Sequence, residues 1–144
     1  MPTMQQSIIA LHSTFPDLAA NVSLTQIPTF LGLPDGADVL GQVMPFAGTI
    51  VGIAVASDLA GADTITITPQ IAATPKMTSP SQCASLSTQI SSGAKAATTV
   101  VSKDQADCQF AAGQCIGLSY LTSAAITVKD VLVTLYISTG RTDI

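Results

Sequence analysis

Two neighbouring stretches, Thr49-Ile50-Val51-Gly52-Ile53-Ala54-Val55 and Thr64-Ile65-Thr66-Ile67-Thr68, decide the fold class. The first is β-branched and apolar on both faces, which reads as a buried strand. The second alternates strictly, with Ile65 and Ile67 on one side and threonines on the other. That is the period-two pattern of a strand with one wet face. Between them, Asp58-Leu59-Ala60-Gly61-Ala62-Asp63 has the composition of a turn. Pro69 is expected to end the second strand, because proline cannot donate to a ladder.

Outward from this unit the same language continues. Residues 72–95 are rich in Ser, Thr, Pro and Ala and predict loops, with one weak strand near Ala84 to Ile90. In that strand Leu86, Thr88 and Ile90 share one face, and Ser85, Ser87 and Gln89 share the other. Thr98 to Val101 is a further short β-prone run. Phe110-Ala111-Ala112-Gly113-Gln114 reads as a turn leading into Cys115-Ile116-Gly117-Leu118-Ser119-Tyr120-Leu121. Val128 to Ile137 is the strongest strand signal of the chain. Many strands spaced by turns, with no convincing helix between them, predict an all-β protein. The expected fold is an antiparallel β-sandwich or jelly roll.

The beginning of the chain differs. Residues 1–38 carry Pro2, Pro16, Pro28, Pro34 and the Asp35-Gly36 turn signal. Four prolines in so short a span suit an extended N-terminal arm or edge strands, not central strands. The expected organisation is therefore a Pro-rich arm or edge over 1–38 and a β-sandwich domain over 39–144. Met1 to Gln6 has no basic residue, so it does not read as a secretory leader. The longest apolar run, around Ile50 to Ala56, is too short to span a bilayer as a helix.

Only 10% of the 144 residues are charged and mean hydropathy is +0.50, against about 25% charged in an ordinary domain. All nine acids are Asp, and Glu, a good helix former, is missing. A folded chain of this mass exposes roughly 7,000 Å², or about one charge per 500 Å². Two explanations compete. Fourteen Ser and eighteen Thr supply surface polarity, or much of the surface is covered by other chains. The net charge of −4 and five scattered cations exclude a nucleic-acid partner. The missing Trp and few other aromatics exclude a stacking platform for single strands.

Catalysis finds little support. His12 is the only histidine. It lies in the Pro-rich segment and reads as a structural residue. No serine has a nucleophile-elbow sequence around it. Asp35, Asp58, Asp63, Asp104 and Asp107 fall in expected turns, where Asp has a structural reason to be. Calcium at Asp58 with Asp63, or at Asp104 with Asp107, would have two acids where six to eight oxygens are wanted. Asn21-Val22-Ser23 matches a glycosylation tripeptide without a secretory context. Cys83, Cys108 and Cys115 lack the close pairing of a metal site. They read as small buried thiols of a reducing compartment, with a Cys108–Cys115 bridge as the alternative. No catalytic, cofactor-binding or metal-ligating residue is assigned, and no cofactor is expected.

One longer pattern is familiar. Met44-Pro45-Phe46-Ala47-Gly48-Thr49-Ile50-Val51-Gly52-Ile53-Ala54-Val55 leads through a Gly-containing loop to Thr64-Ile65-Thr66-Ile67. Phe110-Ala111-Ala112-Gly113-Gln114-Cys115-Ile116-Gly117, Thr122-Ser123-Ala124 and Val131 to Ile137 follow in order. Over roughly residues 44–138 this resembles small β-sandwich virion proteins, the bacteriophage capsid cement or decoration proteins. The resemblance implies no enzyme. It implies a homotrimer on the outer capsid surface, made in the host cytoplasm, that binds and stabilises the shell of major capsid protein. Neither membrane nor nucleic acid is among the implied partners. The competing expectation is a receptor-binding or tail-fibre tip that recognises a cell-surface glycan. An exposed Tyr120 or Tyr136 in a groove would favour that reading.

Overall fold

The computed structural model describes residues 8–18, 25–27, 41–57, 64–91, 93–122 and 128–139, with backbone alone for 14–18, 25–27 and 128–130. The described strands, in chain order, are β1 (Ile8–Leu18), β2 (Thr25–Ile27), β3 (Gln42–Val43), β4 (Gly48–Ser57), β5 (Thr64–Ala72) and β6 (Ser81–Gln82). They continue with β7 (Thr88–Ser91), β8 (Ala96–Val100), β9 (Gln109–Phe110), β10 (Cys115–Thr122) and β11 (Val128–Ser138). Two 3-10 turns, Ala84–Leu86 and Ala106–Cys108, complete the described elements.

One sheet runs β1-β11-β4-β8, with β9 also on β4; the other runs β2-β10-β5-β6, with β3 on β10 and β7 on β5. All pairings are antiparallel. Three edge positions are shared by two short strands each: β2 with β3, β6 with β7, and β8 with β9. Counted as positions along the chain, the sheets then read 1-8-3-6 and 2-7-4-5. Except between positions 4 and 5, the chain hands successive strands from one sheet to the other, which is the jelly-roll order. The protein is an all-β antiparallel sandwich. Two of its strands, β1 and β2, come from the Pro-rich first 38 residues.

The core lies between the sheets. Ile53, Val55, Val131, Val133, Leu135 and Ile137 from the first sheet meet Ile65, Ile67, Ile116 and Leu118 from the second, all buried. The alternation of Thr64–Thr68 does what period two requires, with both isoleucines inside.

Three expectations are corrected. β4 is not buried on both faces. Tyr136 pairs with Gly52 and Ile137 with Ile50, so Val51 is an inserted residue, a β-bulge. The bulge lets Ile50 and Ile53 both face the core although they are three apart. The Val51 carbonyl is taken by the Val101 amide at 2.9 Å. Ala54 and Ala56, on the outer side, are only half-buried.

Pro69 does not end β5, which runs on to Ala72. In a strand, the N and O of one residue point to the same neighbour. The Pro69 carbonyl accepts from the Cys83 amide at 2.8 Å, so the missing N–H also faces the gap between β6 and β7. No ladder bond to β10 is lost there.

The predicted weak strand from Ala84 begins instead as a 3-10 turn and becomes strand only at Thr88. Leu86, Thr88 and Ile90 are nevertheless buried and Ser85, Ser87 and Gln89 exposed.

Candidate interaction face

The two outer faces of the sandwich are treated differently. The second sheet is covered over part of its outer side. Residues 73–80 fold back across it, and Met77, 2% exposed, packs with Ala72 and Cys115. A β-carbon on Gly117 would stand 2.8 Å from the Met77 methyl, so this position needs glycine for the strap to lie down. The strap is tied by a Gly41 amide to Pro75 carbonyl bond of 2.8 Å.

The first sheet is covered only at one end among the described residues, where the Thr49 hydroxyl donates to the Lys103 carbonyl at 2.7 Å and Thr49 and Ser138 are buried. Its register defines the outward positions. On β11 the inward set is Val131, Val133, Leu135 and Ile137, so Leu132, Thr134, Tyr136 and Ser138 point outward. Partners in register share a face. Ile8, Ala10 and His12 of β1 therefore lie beside Ser138, Tyr136 and Thr134. Gly52, Ala54 and Ala56 of β4 flank Tyr136, Thr134 and Leu132 on the other side. Val100, Thr98 and Ala96 of β8 complete the face.

None of these outward residues is an Asp, Glu, Lys or Arg. Ile8 is 60% exposed, Leu132 43%, Tyr136 39% and Val100 77%. The residues of β4 on this side are small, and a β-carbon on Gly52 would stand 3.4 Å from the Tyr136 ring. Lys76, Lys95 and Lys103 belong to loops and turns, and Lys129 lies near the start of β11, paired in register with Asp17 of β1. The result is a weakly polar surface of four strands, suited to packing against another protein surface.

The residues weighed from sequence are dispersed. His12 is exposed on this face, with Nδ1 3.0 Å from the Thr134 hydroxyl. Tyr120 is buried in the core, whereas Tyr136 is 39% exposed on the outer side of the first sheet. Asp104 and Asp107 are not brought together as ligands. Asp107 instead accepts from the Ser85 amide at 2.9 Å, the Ser85 hydroxyl at 2.8 Å and the Gln105 amide at 2.9 Å. Asp58, Asp63 and the Asn21-Val22-Ser23 tripeptide lie outside the described residues.

The reading of three reduced thiols is corrected. Cys83 and Cys108 form a disulfide, with Cα atoms 5.0 Å apart, that joins the two 3-10 turns. The Cys108–Cys115 alternative fails because the two residues lie in different layers. Cys108 belongs to the main core, while Cys115 sits under Met77 on the outer side of the second sheet. Burial pushes the Cys115 thiol above its ordinary value.

The Ser85 amide, opposed by partial desolvation and helped by the Ser85 and Gln105 side chains, holds the Asp107 carboxyl below its ordinary 3.8. A lowered folded-state pKa adds stability above the ordinary value and loses it as pH falls through the lowered one. Acid unfolding followed by circular dichroism should therefore show Asp107→Asn less stable than wild type at neutral pH. The gap should hold down to about pH 3.8 and close as pH falls further, through the lowered pKa, below which both carry an uncharged group. A gap that stays constant well below pH 3.8, however acid the solution, would show that the carboxylate charge is immaterial.

No protein-family model matches the chain, and no curated protein matches it. Among solved structures, it is similar to a chain of the cyanophage Pam1 capsid asymmetric unit, at 14% identity and a TM-score of 0.39, covering 92% of this chain and 85% of that one. It is similar to a chain of the acidic stable capsid of Helicobacter pylori bacteriophage KHP30, at 12% identity and a TM-score of 0.40, covering 94% and 93%. A chain of mud crab tombus-like virus overlaps at 6% identity and a TM-score of 0.42, covering 100% and 84%. The jelly-roll assignment follows from the strand order above, and at these TM-scores the likenesses add no argument to it.

Proposed function

We propose that this chain is a virion structural protein, without enzymatic activity, that works by packing against other protein surfaces through the outer face of its β1-β11-β4-β8 sheet. The observation that carries the reading is that face: four strands wide, with no Asp, Glu, Lys or Arg among the outward residues described on it. It is supported by the jelly-roll order, an architecture used by capsid domains among others, and by the ordered motifs over residues 44–138.

In its finer form the proposal is a capsid cement protein. Copies assemble as a trimer on the outer surface of the shell and bridge major capsid subunits. Binding only the assembled shell stabilises that state by mass action. Many copies make weak individual contacts add up.

The test is the mass in solution by light scattering, followed by co-sedimentation with purified shells. A species near three times 14.6 kDa that pellets with shells is expected. The double variant Leu132→Asp with Tyr136→Asp should be a folded monomer that stays in the supernatant. Like charges placed on a self-packing face oppose each other, and shell contacts would bury them unpaired. A wild-type monomer that never pellets would overturn the cement role. A double variant that assembles like wild type would overturn the assignment of the face.

A further inference from the structure

We infer that the cavity beside the β5 end, walled by the Met77 strap, the disulfide-joined turns and the β9–β10 turn, is a binding site for a neutral, hydroxyl-rich ligand such as a saccharide. The cavity holds about 540 Å³, within the range of roughly 300–1,000 Å³ common for small-molecule sites. It lies apart from the centre of the interaction face: of its lining residues only Gln109 belongs to the first sheet, at its β9 edge.

Three separate devices hold its walls. The strap contributes Ser79, whose backbone is left-handed at φ 46°, and it is anchored by buried Met77 on Gly117. The turns contribute Asp107, fixed by Ser85 and Gln105 and adjacent to the Cys83–Cys108 bridge. The third wall is the turn through Gly113, at φ 88°, whose amide bonds to the Met44 carbonyl at 2.7 Å. A site whose walls are already ordered loses little entropy when a ligand enters.

The chemistry of the lining selects the ligand class. The Gln114 carbonyl oxygen is engaged by the Ala111 amide at 2.7 Å, which orients its NH₂ as a donor. One end of the Gln82 amide is held 3.2 Å from the Ser119 hydroxyl, leaving the other end for a partner. Ser81 and Ser79 add hydroxyls that both give and accept. Asp107 receives three groups, where a carboxylate has about four lone-pair positions. Ile71 and Ala72 supply a small apolar patch. Interleaved donors and acceptors, with no lining cation to hold an anion, match adjacent hydroxyls on a neutral ring.

The test uses the full chain and saturation-transfer NMR with methyl glycosides of glucose, galactose, mannose and N-acetylglucosamine, with glycerol as control. Transfer to the ring protons of at least one glycoside, and none to glycerol, is expected. Ser81→Leu fills the cavity from an exposed position and should weaken that binding by about tenfold or more, while thermal unfolding by circular dichroism stays as in wild type. No transfer to any glycoside, equal transfer to glycerol, or undiminished binding in folded Ser81→Leu protein each overturns the inference.

Discussion

Leu135→Asp is expected to abolish folding, whereas Leu132→Asp, three residues earlier on β11, should fold as wild type does. Leu135 is fully buried between the sheets and Leu132 is 43% exposed on the outer face. Losing a buried leucine side chain costs roughly 2–5 kcal/mol. An unpaired carboxylate in its place adds several kcal/mol more. Together these approach the whole stability of a domain, about 5–15 kcal/mol. A half-exposed change with no broken hydrogen bond should stay near about 1 kcal/mol. Far-UV circular dichroism and hydrogen exchange separate the two. Should both variants unfold alike, the inward and outward sets on β11 have been assigned wrongly. The face argument would then fall with them.

The second large effect concerns the disulfide. Cys83 and Cys108 are 25 residues apart in sequence, fully buried, and join turns that otherwise share mainly Asp107 and Ser85. Closing a loop of that length in the unfolded chain is worth about 3.5 kcal/mol in the chain-entropy account. For a domain of this size that corresponds to a Tm lower by roughly 10 °C in Cys83→Ala with Cys108→Ala. A reducing agent should lower the wild-type Tm similarly and leave the double variant unchanged. Equal melting of all samples would mean that the bridge carries no stability. Cys115→Ala serves as the control, since that thiol is free and buried under Met77.

Much of the fold was legible because strand formation here is local. The alternating threonines and isoleucines of β5, the dense β11 and the turn before β10 are patterns a few residues long, and each became the predicted element. The misreadings have a common cause, which is that the deciding partner is distant. Pro69 survives inside β5 because its neighbours on that side are interrupted, which depends on a turn some fifteen residues later. Val51 bulges because β11 pairs with β4 in one particular register. The bridge joins Cys83 to Cys108, and not Cys108 to Cys115, because those residues end up in different layers.

The sequence by itself determined that the chain is β-rich, weakly charged and poor in catalytic groups, because composition and period two act without reference to the rest of the molecule. Only the tertiary structure decided which side of each strand is inside and which sheet is covered. The outward residues of β1, β4, β8 and β11 are ordinary in sequence: alanines, threonines, a glycine and a few large apolar side chains. They become one weakly polar surface only when four strands from distant parts of the chain are paired in register. The polar cavity arises in the same way, from three loops brought to one end of the sandwich. Sites of this kind are relations between strands and loops, and non-local pairing is what creates them.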